Sequence, residues 1–465
     1  MTTLSLLDAA REAPMATAIF DGDSAHSFAE LAERCGPLLS LLRAARPPAL
    51  ALTPRADVES LLWLYAAFES GTPVLTLHAR ATESERHAAC QLVGAVPASD
   101  LPTVAAPPAA SFAAPGSDAP ALFIPTSGST GTPRLVELSR GALVASAAGS
   151  AANLGWDPHD VWLLCLPLAH TGGLSVVIRC LLGRRAVRLF EAGDAGLSAR
   201  LPELAAALEH STLVSLVPSV LSALLDAGQR PPQGLRAVLL GGAACSPALA
   251  QRAHAAGWPL LTSYGLTETA SQVVTRRYAE RFDPLPERFG VVSSGHSLPG
   301  VELSLREPHG RLAIRAPSLL TRYVGGNSPA LDAEGWLLTN DLGELGPNGE
   351  LFVRGRSDDV IISGGENIDP LEVEAALLEL PGVTAACVCG TASARFGQIV
   401  SALLVSRDPS LAEPTQLAEL LRNRLARHKL PRRAQLIEKL PLTLAGKLDR
   451  RACRELLERA FASDC

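Results

Sequence analysis

The sequence predicts an α/β protein with a large N-terminal domain and a small, mobile α+β C-terminal domain. Helical patterns alternate with short apolar runs up to about residue 290, which is typical of doubly wound parallel sheets. Short strands separated by glycine turns then replace the helices, and the pattern changes again after Gly355. The chain has 465 residues, which is more than a single hydrophobic core usually serves, so we expect at least two domains.

The first 96 residues alternate two kinds of element. Amphipathic patterns predict helices over 28–45 and 57–69, and apolar runs predict strands over 49–52 and 73–77. The segment 97–120 is rich in Pro, Ala and Ser and indicates a surface connection. Further strands are expected over 161–166, 186–189, 213–217 and 237–240, with helices between them. This alternation predicts doubly wound α/β subdomains.

The remaining chain divides into a strand-rich part and an α+β part. Residues 291–355 predict a small antiparallel sheet, a β-barrel-like subdomain. Beyond it we expect a helix over 370–379, strands, and a long amphipathic helix over 414–427. We place the domain boundary near 356–359, which gives an N-terminal domain of residues 1–356 and a C-terminal domain of residues 357–465.

Composition excludes several classes of protein. The net charge is −6 with both signs scattered, so neither nucleic acid nor a membrane surface is expected as a partner. The most apolar window, 161–182, is interrupted by Pro167, His170 and Arg179 and fails as a membrane span. The nine cysteines lack a Cys-x-x-Cys pair, and the start MTTLSLLDAAREAP lacks the pattern of a signal peptide. We therefore expect free thiols and a cytoplasmic protein.

One segment, LFIPTSGSTGTPRLVELS, combines a predicted strand with a loop of hydroxyl residues and glycines. The loop comprises Thr126, Ser127, Gly128, Ser129, Thr130 and Gly131. It is not a Walker A motif, because Thr132, Pro133 and Arg134 follow where Lys and Ser or Thr would be needed. Backbone N–H groups and hydroxyls of such a loop can surround an anion. A polar surface loop is the alternative that the residues alone leave open.

The loop resembles the phosphate loop of the acyl-adenylate-forming superfamily. Arg134 stands where that family has Lys, and Leu135 stands where it has Gly. Further segments match the family in the same order along the chain: 241–244, 264–269, 335–341, 355–368 and 440–451. An ordered set of matches is far more specific than a single motif.

The resemblance implies how ATP and Mg²⁺ are bound. Tyr264 would lie against adenine, Thr267 would contact the α-phosphate and Glu268 would hold Mg²⁺. Asp341 would accept hydrogen bonds from the ribose hydroxyls, and Arg356 would contact ribose or phosphate. The remaining ATP-binding residues would be Gly241, Gly242, Ala243, Gly265, Arg134 and the loop residues named above.

The C-terminal motifs imply a catalytic lysine and a hinge. Lys447 would bridge the acid's carboxylate and the α-phosphate, and the chain has few other lysines. Asp358 matches the hinge about which the family's small domain turns. Gly364 and Gly365 would line the channel for the pantetheine arm of coenzyme A. The implied activity is that of an AMP-forming acid–thiol ligase, in which an acyl-adenylate forms first and a thiol then displaces AMP.

The acid is indicated by four residues: His170, Arg179, Gly265 and Thr269. Arg179 lies in an apolar run, so it either extends to solvent or pairs with a second carboxylate on the acid. The compact length, the spacing from His170 to Arg179 and the run 269–272 resemble the o-succinylbenzoate–CoA ligases of menaquinone biosynthesis.

Other activities remain open at the level of sequence. They are a ligase for benzoate- or anthranilate-like aryl acids, a stand-alone adenylation domain that loads a carrier protein, and a non-catalytic nucleotide-binding relative. The sequence also leaves open the acid, the thiol acceptor, the effect of Arg134 and Leu135, and the choice between monomer and homodimer.

Overall fold

The computed structural model describes residues 3–102, 115–126, 134–193, 196–288, 290–307, 310–326, 330–393, 395–442 and 448–461. The predictions for Ser127, Gly128, Ser129, Thr130, Gly131 and Lys447 lie outside these residues, as does half of the expected connection 97–120.

The N-terminal part alternates strands and helices, as its sequence pattern predicts. Its strands are β1 (Thr17–Asp21), β2 (Ser24–Ser27), β3 (Ala49–Leu52), β4 (Val74–Thr76), β5 (Ala95–Pro97), β6 (Pro120–Thr126), β7 (Arg134–Ser139), β8 (Val161–Leu164), β9 (Ala186–Leu189), β10 (Leu213–Leu216), β11 (Ala237–Leu240), β12 (Leu260–Leu266) and β13 (Ser271–Thr275). Its helices are α1 (Leu6–Glu12), α2 (Phe28–Ala45), α3 (Val58–Ser70), α4 (Glu83–Val93), α5 (Arg140–Leu154), α6 (Thr171–Gly183), α7 (Leu201–Leu208), α8 (Pro218–Asp226) and α9 (Pro247–Ala255).

Local signals in the sequence account for several of these bounds. The side chain of Ser27 accepts a hydrogen bond from Glu30 N at the start of α2, and that of Asp57 accepts one from Ser60 N at the start of α3. Helix α3 ends at Gly71, whose φ of +75° closes the helix in the left-handed region.

A strand-rich part follows, in which helices are replaced by antiparallel pairs. Its strands are β14 (Glu287–Arg288), β15 (Val291–Val292), β16 (His296–Ser297), β17 (Glu302–Arg306), β18 (Arg311–Arg315), β19 (Arg322–Val324), β20 (Leu337–Leu345) and β21 (Leu351–Arg356). Four of them form an antiparallel sheet in the order β17-β18-β20-β21. This sheet is the small β subdomain expected for 291–355.

Two larger sheets carry the N-terminal part. One has nine strands in the order β16-β13-β12-β11-β10-β8-β9-β1-β2, and the run from β12 to β1 is parallel. The other has six strands in the order β19-β7-β6-β4-β3-β5. The predicted doubly wound α/β class is confirmed. Because β12 and β19 belong to different sheets, residues near their ends can meet only where the sheets adjoin.

The C-terminal part is α+β, as expected. It contains β22 (Ile361–Ser363), β23 (Glu366–Ile368), β24 (Val383–Ser393), β25 (Gly397–Ser406), β26 (Arg433–Leu436), α10 (Pro370–Leu378), α11 (Pro414–Leu421) and α12 (Arg450–Ala460). Its core, from Ile361 to Ala434, shares no residue with the cores of the N-terminal part. The boundary at 356–359 stays a prediction.

One predicted helix is shorter than expected. The amphipathic pattern over 414–427 gives a helix that ends at Leu421. The N–H groups of Arg424 and Leu425 both donate to the carbonyl of Leu421 at 2.9 Å, which tightens the chain into a turn.

The cysteines of the described residues are free thiols. Cys90 and Cys245 are partly exposed, and the buried ones are Cys35, Cys165, Cys180, Cys387, Cys389 and Cys453. Burial raises the pKa of Cys35 and of Cys165 to about 12, so these thiols stay protonated and unreactive. Within the described residues, no helix is long and apolar enough to cross a membrane.

Candidate active site

Three predicted nucleotide-binding residues meet although they are far apart in sequence. Tyr264 in β12 donates its hydroxyl to Asp341 Oδ2 in β20 at 2.5 Å. Arg356, at the end of β21, donates to Asp341 Oδ1 at 3.4 Å and forms a two-point contact with Asp358 at 2.9 and 3.0 Å. Burial, followed by the Asp341 charge, raises the pKa of Tyr264, so its hydroxyl remains a donor. The structure thus joins the expected adenine and ribose residues to the expected hinge residue.

The glycines after β11 lie beside Ser263 of β12, the residue before Tyr264. Gly241 and Gly242 follow the last residue of β11, and Ala243 is exposed beside them. A Cβ on Gly241 would lie 2.6 Å from Ser263 Oγ, and Gly242 has a φ of +79°. Gly241 leaves room for the Ser263 hydroxyl of β12, and Gly242 adopts a left-handed backbone conformation that favours glycine.

A strained turn follows β12. It contains a short 3-10 helix, Thr267–Thr269, and then Ala270 and Ser271 with φ values of +52° and +104°. Two successive non-glycine residues in this region are uncommon and indicate a functional constraint. A Cβ on Gly265 would lie 2.0 Å from Ser271 O, so Gly265 permits the close approach of the strand that follows.

Thr269 holds this turn together. Its hydroxyl accepts from Leu266 N at 2.8 Å and lies 2.6 Å from Ser271 O, and its side chain is fully buried. The expected contact between Thr269 and the acid stays a prediction. The Thr269 hydroxyl serves the backbone of the turn.

The same turn presents Glu268, with Thr267 beside it; both are partly exposed. Glu268 Oε1 accepts from the hydroxyl of Tyr323 in β19 at 3.0 Å, and Glu268 O accepts from Leu320 N at 2.7 Å. A single carboxylate fits Mg²⁺, which is usually held by one or two protein carboxylates together with substrate phosphates.

The strands on either side of the predicted phosphate loop lie near Glu268. Thr126 ends β6 and Arg134 begins β7, and the hydroxyl of Thr126 donates to Arg134 O at 3.4 Å. The guanidinium of Arg134 lies 6.0 Å from the ring centre of Tyr323, the residue that contacts Glu268.

Helix α6 carries both predicted acid-side residues. His170 is its N-cap residue, and the His170 ring lies 5.5 Å from that of His78. A Cβ on Gly173 would lie 2.5 Å from Pro167 O, so glycine lets the first turn of the helix pack on the preceding loop.

Arg179 is the most unusual side chain of this region, because only 1% of it is exposed. Its Nη2 donates to Ser271 Oγ at 3.1 Å, and its guanidinium lies 5.4 Å from the ring centre of Trp162. Nε and Nη1 have no hydrogen-bond partner among the described residues. The Arg179 side chain therefore does not extend to solvent.

The charge of Arg179 persists despite burial. Desolvation lowers its pKa to about 10, which still leaves it protonated at neutral pH. A buried cation with two unused donors is costly unless an anion reaches it. The buried amide of Gln272 also lacks a partner among the described residues and follows Ser271 directly. Arg179 and Gln272 therefore keep hydrogen-bonding atoms that are unused among the described residues.

The predicted coenzyme A residues lie elsewhere. Gly364 and Gly365 form the exposed turn between β22 and β23, with φ values of +61° and +90°. Gly364 N donates to Phe396 O at 2.9 Å. No described contact joins this turn to Arg179 or Glu268, so the structure does not bring the channel residues to the acid side.

Sequence reasoning missed Tyr323, Trp162 and Ser271 as members of the site. A sequence signal for Ser271 did exist, because the run 269–272 that contains it follows the adenine motif directly. Trp162 and Tyr323 reach the site through strand pairing over long sequence separations, for which no local signal exists.

The chain is similar to known proteins in both sequence and fold. The family model described as AMP-binding enzyme matches residues 95–324, and that of the AMP-binding enzyme C-terminal domain matches residues 372–447. The 2-succinylbenzoate–CoA ligase of Bacillus subtilis is 35% identical over 351 residues, covering 73% of this chain and 69% of that protein. The ligase of the same name from Bacillus licheniformis is 31% identical and covers 94% of this chain and 96% of that protein.

The chain belongs to the AMP-binding enzyme family. Solved structures support the same assignment. The o-succinylbenzoate CoA synthetase of Bacillus subtilis in complex with its acyl-adenylate intermediate superposes with a TM-score of 0.85 at 29% identity, covering 98% of both chains. ATP-bound MatB from Rhodopseudomonas palustris shares the AMP-binding enzyme fold, with a TM-score of 0.84 at 22% identity over 99% of this chain and 100% of that one.

Proposed function

We propose that this AMP-binding enzyme is an AMP-forming 2-succinylbenzoate–CoA ligase of menaquinone biosynthesis. The observation that carries the substrate assignment is Arg179, a buried cation whose Nε and Nη1 lack partners among the described residues. An acid with two carboxylates can present one to Arg179 while the other reacts. The names of the relatives from Bacillus subtilis and Bacillus licheniformis support the same substrate.

In the first step, a carboxylate oxygen of the acid attacks the α-phosphorus of Mg·ATP. The bond from that phosphorus to the bridging oxygen of the β-phosphate breaks, and pyrophosphate leaves with its electron pair. Tyr264, Asp341 and Arg356 would hold the adenosine, and Thr267 would bind the α-phosphate. Glu268 would bind the Mg²⁺ of the substrate complex, which neutralises phosphate charge.

In the second step, the thiol of coenzyme A attacks the acyl carbon and the bond to AMP breaks. The thiol loses its proton, and AMP leaves as the anion. We propose that the C-terminal domain, residues 357–465, turns at Asp358 between the steps. Lys447 would serve adenylation, and Gly364 and Gly365 would face the pantetheine arm during thiolation. His170 would lie beside the acyl group in both steps.

The enzyme would act in the cytoplasm, where free thiols such as those of its buried cysteines persist. Light scattering distinguishes a monomer from a homodimer directly.

Pyrophosphate exchange into ATP tests the function. Purified enzyme receives labelled pyrophosphate, Mg·ATP and one acid from a panel of o-succinylbenzoate, benzoate, anthranilate and a medium-chain fatty acid. We expect exchange with o-succinylbenzoate far above the others, and a coenzyme A ester after addition of coenzyme A. Absence of exchange with every acid would refute the enzyme assignment, and exchange without ester formation would favour loading of a carrier protein.

A further inference from the structure

Tyr323 is a residue that the proposed reaction does not yet use. It lies in the middle of β19, the edge strand of the six-stranded sheet, and pairs with Val136 of β7. Its hydroxyl donates to Glu268 Oε1 at 3.0 Å across the junction between the two large sheets. Among the described residues, it is the side chain that hydrogen-bonds this carboxylate.

The phenol is suited to hold a carboxylate. The hydroxyl of a tyrosine is an uncharged hydrogen-bond donor, and here it donates to Glu268 Oε1. A neutral donor fixes the direction of one carboxylate oxygen without cancelling the negative charge. A cation in the same place would compete with a metal ion.

Contacts of the three residues before Tyr323 hold it in place. Leu320 N donates to Glu268 O at 2.7 Å, and Thr321 N donates to Glu137 O at 2.9 Å. Arg322 is tied to the buried carboxylate of Glu137 in β7 at 2.8 Å. The segment from Leu320 to Tyr323 therefore connects the Glu268 turn to the strand that follows the predicted phosphate loop.

We propose that Tyr323 is a positioning residue that orients Glu268 toward the Mg²⁺ of Mg·ATP, with β19 setting the spacing between Glu268 and the phosphate-binding strand. The inference rests on the proposed role of Glu268. A group that hydrogen-bonds a metal ligand commonly changes metal affinity by about 10- to 100-fold when it is removed. Loss of the phenol oxygen frees the carboxylate to adopt other rotamers, which an ion with strict octahedral geometry tolerates poorly.

The test compares Tyr323→Phe with the wild-type protein. Mn²⁺ binding in the presence of a non-hydrolysable ATP analogue is titrated by electron paramagnetic resonance, which reads metal affinity without turnover. We expect about 10-fold weaker Mn²⁺ binding or more. Pyrophosphate exchange should show a matching rise in the Mg²⁺ concentration for half-maximal rate, with recovery at high Mg²⁺. Thiolation of supplied acyl-adenylate, which needs no Mg·ATP, should stay unchanged.

Two controls separate this role from general damage. Tyr278→Phe removes another partly buried phenol, one that packs against Arg281, and should leave Mn²⁺ binding unchanged. In a Glu268→Gln background, Tyr323→Phe should weaken Mn²⁺ binding further by less than about 2-fold, because both changes act through one group. Equal Mn²⁺ affinity of Tyr323→Phe and wild type would overturn the inference. Failure of the wild type to exchange with any acid would instead count against the proposed function, since Mn²⁺–nucleotide binding is measured separately.

Discussion

Replacement of Arg179 by methionine should change substrate choice more than it changes folding. The side chain is 1% exposed, and its Nε and Nη1 have no partners among the described residues. If both donate to a carboxylate of the acid, each charge-assisted hydrogen bond contributes about 1.5–3 kcal/mol. Part of that gain offsets the burial of the charge, so we expect a loss of about 3 kcal/mol, or roughly 150-fold in kcat/KM for o-succinylbenzoate.

Benzoate supplies the decisive contrast, because it has no second carboxylate. Its weak adenylation should be unchanged or improved in Arg179→Met, since the variant no longer holds an unpaired cation beside an apolar ring. The thermal unfolding midpoint should hold or rise, because replacing an unpaired buried charge with an apolar side chain relieves a desolvation cost.

The assay is pyrophosphate exchange over a range of acid concentrations at saturating Mg·ATP, with both acids and both proteins. Arg188→Met is a matched control, because Arg188 is a partly buried arginine on β9 that lies over Phe20 instead of near Ser271. Equal losses for the two acids would refute the carboxylate role of Arg179. So would an o-succinylbenzoate loss below about 5-fold.

Three further predictions concern the C-terminal part. Lys447→Ala should abolish adenylation while leaving thiolation of supplied acyl-adenylate largely intact; equal loss of both half-reactions would contradict a rotating domain. Burial raises the pKa of Asp369 to about 6 from 3.8, so the folded state binds the extra proton and stability falls as pH rises from about 4 to 6. Asp369→Asn keeps the oxygen that accepts from Leu371 N and should flatten this fall in urea unfolding; an unchanged slope would count against the assignment. Arg450→Met leaves the buried Glu374 without its two-point partner and should cost about 3–5 kcal/mol of unfolding free energy, and Glu374→Gln in the same chain should restore part of it.

Much of the fold follows from local pattern. Helix α2 begins and ends where its amphipathic pattern predicts. Ser27 caps its first turn, and Arg46 ends the helix in the left-handed region with a φ of +46°. Helix α11 ends at Leu421, before the end of its amphipathic pattern. Periodicity does not reveal the turn in which Arg424 N and Leu425 N donate to the carbonyl of Leu421. Hydrophobic spacing predicts whether a segment is a helix or a strand better than it predicts how long that element is.

The candidate site was predictable only in part, for a physical reason. Tyr264, Asp341 and Arg356 were found through motifs, but their mutual hydrogen bonds depend on the pairing of β20 with β21 and on the approach of β12. Thr269 matched a motif position, yet its hydroxyl is used by the turn. Motifs record which residue types a site needs, whereas the backbone around them decides which atoms remain available.

The buried cysteines give this enzyme a built-in reporter of its own motion. Cys35, Cys165 and Cys180 lie in the N-terminal part, and Cys387, Cys389 and Cys453 lie in the C-terminal part. A brief pulse of maleimide during turnover, read by peptide mass, would mark whichever core opens. If the C-terminal part rotates as a rigid unit between half-reactions, these three buried thiols stay unlabelled by maleimide throughout catalysis. Labelling that rises only with turnover would mean that the enzyme changes conformation by transient unfolding.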